Sequence, residues 1–510
     1  MGAFLASVLT SFFHFQSENR ENENRENMER NRKMRKRRIA ERQSEKKHKV
    51  VGAAHWMAGS ADANGDTCVR GECKGHRKYR GRGGLEGLEG HGGHRGRRGG
   101  NAAGKRALSV VLLLLLMVSS VFSFAGCEKE EGAFSSGGLS SSEGGAGAEE
   151  GFLTLDYADE SFSEDSIPDP VIRSSEESLT VKDCLGNEVE IPHNPEHVAV
   201  LDSFAGEAMV MIGAGSRMVT CPNGVKSDSL LREIYPGLGE VSVVMSGGSF
   251  NAEALLQLSP DVIIIKEGVY VSEGEREKLD KLNIPYLVTA YGNMAEQMYA
   301  LSMIGAAAGD EYYENAQEIN RYYCDVIRRV CRAAENIPQS GRRSVYHSIN
   351  EAVRTDGRYS LGNDWITCVG ADNVSARHAE SLKQADDDYA AGLEQIFVWD
   401  PDVMICNEAS TKDYLLTDSK WQGLRAVKEG EVYNIPVGAT RWGQRGSLET
   451  FFAMIWLGVT IYPEYYAGFD LRQEVTDFYR DQLGLEVDDE TWRKMTAGTG
   501  IRDASNVSGT

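Results

Sequence analysis

One fourteen-residue figure occurs twice in this chain. It runs Asn251-Ala-Glu-Ala-Leu-Leu-Gln-Leu-Ser-Pro-Asp-Val-Ile-Ile264, and returns as Gly392-Leu-Glu-Gln-Ile-Phe-Val-Trp-Asp-Pro-Asp-Val-Met-Ile405. In each copy a short helical stretch stops before a proline and a continuous apolar run follows. Pro260 and Pro401 set a tight turn into the run, and Asp261 and Asp402 are placed to bond the turn backbone. An apolar run without polar alternation is a strand buried on both faces, as in a parallel sheet covered by helices. The spacing leaves room for one α/β unit around each copy.

The rest of the pattern agrees. Apolar strands are expected at 197–202, 217–221, 261–265 and 284–289, with helices at 204–213, 251–258 and 272–282 between them. A helical region without proline covers 293–335, interrupted near Gly309-Asp310. A second series follows, with strands at 344–349, 402–406 and 431–436 and helices at 364–370, 392–399, 412–424 and 448–462. Two amphipathic helices, 471–483 and 488–496, close it. The expected fold class is α/β: two Rossmann-like lobes with parallel sheets (178–291 and 337–496), joined by one long rigid helix (292–336), with a ligand cleft between them and a tail at 497–510.

The first 177 residues read differently. Residues 18–49 are almost wholly Arg, Glu, Asn and Lys, and 71–100 are Gly, Arg and His. Neither stretch carries enough apolar area to offset chain entropy, so 1–104 is expected to be a disordered basic extension or to lie upstream of the true start. Lys105-Arg106 then precede an apolar core of about ten residues and a small-residue exit, the pattern of a secretory signal. Phe124-Ala125-Gly126-Cys127 resembles a bacterial lipobox, with Phe124 where Leu is usual; the resemblance implies a diacylglyceryl thioether on Cys127 and cleavage before it. The Gly, Ser and Glu-rich stretch 127–177 is expected to be a flexible tether. Charge divides along the same line. Up to Arg106 there are 24 Lys and Arg against 12 Asp and Glu, which leaves 31 against 64 for the remainder of a chain whose net charge is −21. A folded part so acidic is a poor match for nucleic acid.

Several local matches, in order, make the chain resemble the iron-siderophore and cobalamin (class III) family of periplasmic-binding proteins, the substrate-binding lipoproteins of ABC transporters. Leu185-Gly-Asn-Glu-Val-Glu-Ile-Pro192 with His197-Val-Ala-Val resembles the family's opening hairpin and first strand. The doubled figure is similar to its most recognisable segment. Trp421 with 424–433, then Trp456-Leu, Tyr462-Pro-Glu464 and Phe478-Tyr479, match its late elements. The resemblance implies a monomeric, non-enzymatic protein on the outer face of the cytoplasmic membrane, in the periplasm or at the cell surface. It would bind a metal chelate (ferric siderophore, haem or corrinoid) and pass it to a permease dimer with its ATPase. It implies no permanently bound cofactor and no metal ligands of the protein's own. Glu253 and Glu394, one per lobe, would dock on the permease; as residues alone they also fit simple compensation of a helix dipole.

Ligands of open α/β sheets sit beyond the carboxyl ends of the strands. The candidates there are Phe204, Asn223, Tyr270 and Tyr291 from the first lobe, and Tyr346, His347, Arg441, Trp442 and Arg445 from the second, beside Asn407-Glu408. A basic pair next to an indole suits an anionic, flat chelate; Trp442 equally suits packing at the lobe rim. No GxSxG, phosphate-binding loop or HExxH is present. The alternatives carried from the residues are a chelatase or cluster-binding enzyme, for which Cys221, Cys368 and Cys406 would have to converge on the cleft, and a ligand-sensing receptor without transport. The nine cysteines show no paired zinc-type spacing, and Cys324 and Cys331, two helical turns apart, are too distant to bridge.

Overall fold

The computed structural model describes residues 151–385 and 388–498. The basic extension, the hydrophobic segment 105–126, Cys127 and the stretch up to 150 lie outside the described residues, as do 499–510. The chain is first met in an antiparallel meander of β1 (Val171–Ser174), β2 (Ser178–Lys182) and β3 (Glu188–Pro192). Residues 151–177, expected as the end of a flexible tether, belong to the fold. Phe162 is buried, Tyr157 meets it edge-on at 5.2 Å, and the Tyr157 hydroxyl donates to Asp364 Oδ2 at 2.9 Å. Aromatic residues set among the acids supply the buried area that composition alone concealed.

The first lobe contains β4 (Val198–Leu201), β5 (Met218–Thr220), a small hairpin of β6 (Met245–Ser246) and β7 (Ser249–Phe250), β8 (Val262–Lys266) and β9 (Tyr286–Thr289). The second contains β10 (Ser344–Ser348), β11 (Arg354–Thr355), β12 (Asp372–Asn373), β13 (Lys383–Ala385), β14 (Asp388–Ala390), β15 (Val403–Cys406) and β16 (Val432–Asn434). Each lobe has one four-stranded parallel sheet, ordered β5-β4-β8-β9 and β12-β10-β15-β16. Counted along the chain, both orders read second, first, third, fourth. The topological switch point of each sheet therefore lies between its first and third strands, the place where such sheets bind ligands. Strands β11, β14 and β13 form a small antiparallel sheet beside the second switch point.

The doubled figure does the same work in both lobes. Its helices are Ala252–Gln257 and Leu393–Trp399, ended by Ser259 and Asp400 in the left-handed region at φ 49° and 41°. The two aspartates reach past their own turns to the head of the neighbouring strand. Asp261 Oδ2 accepts from the backbone N–H of Glu196 and His197 at 2.9 and 2.8 Å, just ahead of β4. Asp402 Oδ2 accepts from the N–H and hydroxyl of Ser344, both at 2.7 Å, at the start of β10. Each Pro-Asp thus clasps the third strand to the first and fixes their register.

The linking segment divides at Gly309, where the sequence shows its interruption. Helix Met294–Ala308 is buried throughout; Gly309 turns at φ 121°, and Asp310–Glu335 runs back beside it. The pairing is antiparallel. Asn320 Nδ2 donates to the Met298 carbonyl at 2.9 Å, and the Tyr323 hydroxyl to Gln297 Oε1 at 2.9 Å. The helix that joins the lobes is therefore Asp310–Glu335, about 39 Å long at 1.5 Å per residue, stiffened by its partner. Side chains of both lobes pack on this pair in one continuous core that includes Val200, Phe204, Tyr323, Trp365 and Phe451, while each sheet's outer face has a smaller core of its own.

Candidate functional site

A pocket of about 270 Å³ opens at the switch point of the second lobe. Its floor comes from the ends of β10 and β15, its walls from the loop 354–362 and from 441–445. His347, on β10, is 1% exposed, with Nδ1 at 2.8 Å from Asp356 Oδ2 and Nε2 at 2.9 Å from Asn407 Oδ1. Burial works against the charged ring. The facing Asp356 carboxylate and the Asn407 carbonyl outweigh it and move the His347 pKa upward. Both ring nitrogens are taken up by these two neighbours, which fixes the orientation of the ring. Asp356 Oδ2 also accepts from Asn373 Nδ2 at 3.3 Å.

Asn407 follows β15 directly, lines the pocket and is 1% exposed. Its Oδ1 is taken by His347. Its Nδ2 is buried and has no hydrogen-bond partner among the described residues. An unsatisfied buried donor costs roughly 1–3 kcal/mol, a cost that a ligand acceptor would remove. Arg441 stands opposite, with Nη2 at 2.6 Å from Glu408 Oε1 and Nη1 donating to Gln444 Oε1 at 2.8 Å. Arg445 is exposed on the lining. The bend that presents these arginines depends on Gly443 at φ 71°: a Cβ there would lie 2.8 Å from Trp365 and Ala453, and the Gly443 carbonyl accepts the Trp365 indole N–H at 2.8 Å. Acidic Asp388 and the Tyr389 ring complete the outer wall.

The same loop closes the junction between the lobes. The Gly446 N–H donates to the Tyr291 hydroxyl at 3.1 Å, Gln297 Nε2 to the Ser447 carbonyl at 2.8 Å, and the Thr440 hydroxyl to Glu207 Oε2 at 2.8 Å. Glu207 and Glu449, from opposite lobes, are both fully buried beside Thr440. Burial raises both carboxyls, Glu449 to about 7 and Glu207 well above its usual range, where Glu449 adds to the effect. The Thr440 N–H and the Tyr479 hydroxyl donate to Glu449.

The structure brings together three of the sequence candidates, His347, Arg441 and Arg445. Phe204 and Tyr291 meet each other at the lobe junction, ring centroids 4.8 Å apart, without lining the pocket. Tyr346 lies on the other face of β10, because neighbours on a strand point to opposite sides; it is buried beside Trp399 and donates to the Ala352 carbonyl at 3.1 Å. Trp442 is fully buried against Phe452, a packing residue rather than a stacking platform. Asn223 is on the short helix Asn223–Ser227, and Tyr270 packs with Tyr286 and Arg276, both off the pocket. The cysteines expected of a cluster enzyme do not converge: Cys221 is in the shared core and Cys406 in the outer core of the second lobe. Among the described residues no group of three or more His, Cys, Asp or Glu is placed to hold a metal ion. Asp356, Tyr389 and Ser360 are lining residues that sequence reasoning missed; they sit on segments without a motif. Glu253 and Glu394 are exposed in the first turns of the two matched helices.

Residues 198–437 match the model of a family described as periplasmic binding protein. The matched stretch, 198–437, belongs to the periplasmic binding proteins. Its binding domain is similar to the molybdate-binding protein MolA of Haemophilus influenzae, with 23% identity over 324 residues, 59% of this chain and 89% of the relative. The solved structure of MolA bound to molybdate superposes with a TM-score of 0.52 at 19% identity, over 61% of this chain and 99% of that one. A periplasmic solute binding protein of Veillonella parvula (TM-score 0.52, 22% identity, 63% and 97% covered) and Helicobacter pylori CeuE with Ni(II) bound (0.52, 21%, 62% and 99%) share the fold. MolA and the Veillonella parvula protein are both named as binding proteins. No helix among the described residues of the binding domain is long and apolar enough to cross a membrane.

Proposed function

We propose that this protein captures a compact anionic metal compound outside the cytoplasmic membrane and delivers it to an ABC importer, with a lipid on Cys127 as its tether. The observation that carries the ligand class is the unpartnered Asn407 Nδ2 at a pocket that also holds Arg441, Arg445 and His347. Buried donors and guanidinium groups recognise oxyanions and chelator carboxylates or phenolates by charge-assisted hydrogen bonds. The volume of about 270 Å³ is at the small end for ligand pockets, which favours a small chelate or metal oxyanion over haem or a corrinoid. The names of the relatives, one for molybdate and one with Ni(II), agree with a metal-bearing solute. The tether is supported by the sequence from Lys105 to Cys127. Delivery is supported by the exposed Glu253 and Glu394, set on matched helices of the two lobes as a two-fold permease would require. A binding role fits a site whose histidine is held on both nitrogens by Asp356 and Asn407.

Native mass spectrometry of the full chain, released from detergent and challenged with ferric chelates, nickel chelates, molybdate, haem and corrinoids, tests this reading. The expected result is one anionic metal compound bound per chain, lost when Arg441 and Asn407 are replaced together by Ala and Leu. Retention of none of the panel, or retention unaffected by the double replacement, would count against it.

A further inference from the structure

Two helices end with their thiols in contact. Cys331 lies near the end of the linking helix Asp310–Glu335, and Cys368 is the last residue of Leu361–Cys368; their sulfurs are 3.1 Å apart. An S–S bond is about 2.05 Å long, so each sulfur needs to move only about half an ångström to reach bonding distance. The backbone around the pair is held independently of the thiols. The Tyr466 hydroxyl lies 3.3 Å from the Val330 carbonyl and 3.0 Å from the Val369 carbonyl, next to each cysteine in sequence. Both cysteines are partly exposed, whereas Cys184, Cys221, Cys324 and Cys406 are buried. Among the described cysteines these two are the more exposed.

We propose that Cys331 and Cys368 form a disulfide that fastens the pocket helix Leu361–Cys368 to the linking helix. The first turn of the pocket helix, through Leu361 and Gly362, lines the ligand pocket, and Ser360 caps it. The cross-link ties that wall to the element that joins the lobes, and limits its movement when ligand enters or leaves. The chemistry is thiol–disulfide exchange with an external disulfide oxidant, of the kind present in oxidising compartments. One thiolate attacks a sulfur of the oxidant and expels the other as a thiolate. The second thiolate then attacks the mixed disulfide and releases the remaining oxidant sulfur. Two electrons pass to the oxidant, and the two protons given up by the cysteines end on its two thiols.

The test is a thiol map of the full chain purified under reductant, exchanged into oxidised glutathione, then unfolded and alkylated before proteolysis. Mass spectrometry should find the peptides of Cys331 and Cys368 joined to each other and the buried cysteines alkylated. Reductant should lower the Tm of the oxidised protein by roughly 5 °C and leave the Cys331→Ser/Cys368→Ser protein unmoved. Alkylation of both cysteines after oxidation, linkage of either to a different cysteine, or an equal effect of reductant on the double variant would overturn the proposal. The peptide map uses the wild-type chain, so it decides the question even where the variant folds poorly.

Discussion

Replacement of Glu449 by Gln should change how stability depends on pH. Glu449 is fully buried, and its carboxyl is raised from 4.5 to about 7, chiefly by burial, with the Tyr479 and Thr440 donors pulling the other way. The groups that face it are Glu207 from the first lobe, Tyr479 from the C-terminal helices, and Asp228 at longer range. A carboxyl whose pKa is higher folded than unfolded binds more protons in the native state between the two values, so stability falls as pH rises through that interval. The contribution is fully present below about pH 4.5 and lost by about pH 7. At ~1.4 kcal/mol for each pH unit, the loss is about 3 kcal/mol. The substituted amide cannot ionise and keeps an acceptor for the Thr440 N–H. Urea unfolding of both proteins from pH 4.5 to 8 should therefore show the difference in ΔG moving toward Glu449→Gln by about 3 kcal/mol, whatever its fixed offset at low pH. Parallel curves would refute the reasoning. Glu207→Gln should act in the same direction, because its carboxyl is raised by burial and then by Glu449. The double variant should gain less than the sum, since removing one carboxylate relieves the other.

Four further outcomes are expected. Arg441→Ala should weaken ligand binding by about 10- to 100-fold, the worth of one charge-assisted hydrogen bond, read by titration calorimetry with the ligand found by native mass spectrometry; an unchanged Kd would remove Arg441 from the site. Glu253→Arg with Glu394→Arg should abolish uptake while ligand affinity stays intact, and uptake that survives the double reversal would end the docking idea. Asp402→Ala removes the acceptor of two bonds from Ser344 and of the Arg425 guanidinium at 2.7 Å, and should cost about 2–4 kcal/mol in urea unfolding; a loss under about 1 kcal/mol would deny the clasp its role. Cys127→Ala should move the protein from the membrane fraction to the soluble fraction on cell fractionation, and a variant that stays with the membrane would point to an uncleaved anchor.

Much of the scaffold is legible in the sequence because it is written in short-range patterns. The continuous apolar runs at 262–265 and 403–406 are buried in central strands, as absence of alternation requires. The interruption at Gly309 is a real break, though residue patterning does not say that the two helices then pack antiparallel. That depends on polar pairs such as Asn320 with Met298 and Tyr323 with Gln297, whose partners are about 20 residues or more away. Residues 151–177 mislead for a related reason: their acidic composition hides two aromatic anchors, Tyr157 and Phe162, which find their places only in the folded chain.

The pocket is less legible, yet the chain carries a signal for it that composition and motifs do not use. Register places the two lobes on a common scale. Val262 pairs with Val198 and Val403 with Val345, each directly after the Pro-Asp clasp. His347 then occupies the place of Val200, Ser348 that of Leu201, and Asn407 that of Lys266. In the first lobe Val200 and Leu201 are apolar and buried. The switch point beyond them is closed by Asp202, which accepts from the Ala205 N–H at 3.2 Å and the Thr289 hydroxyl at 2.8 Å, with Phe204 packed on Tyr291. In the second lobe the same topology holds a histidine where its twin holds a valine. A buried polar group costs stability unless it is satisfied, so a His in a strand whose twin is wholly apolar implies a partner on every side. Two of those partners are Asp356 and Asn407, and the second of them leaves one buried donor unpaired at the pocket. What the two halves share marks the fold, and where a polar residue stands against its apolar twin marks the site.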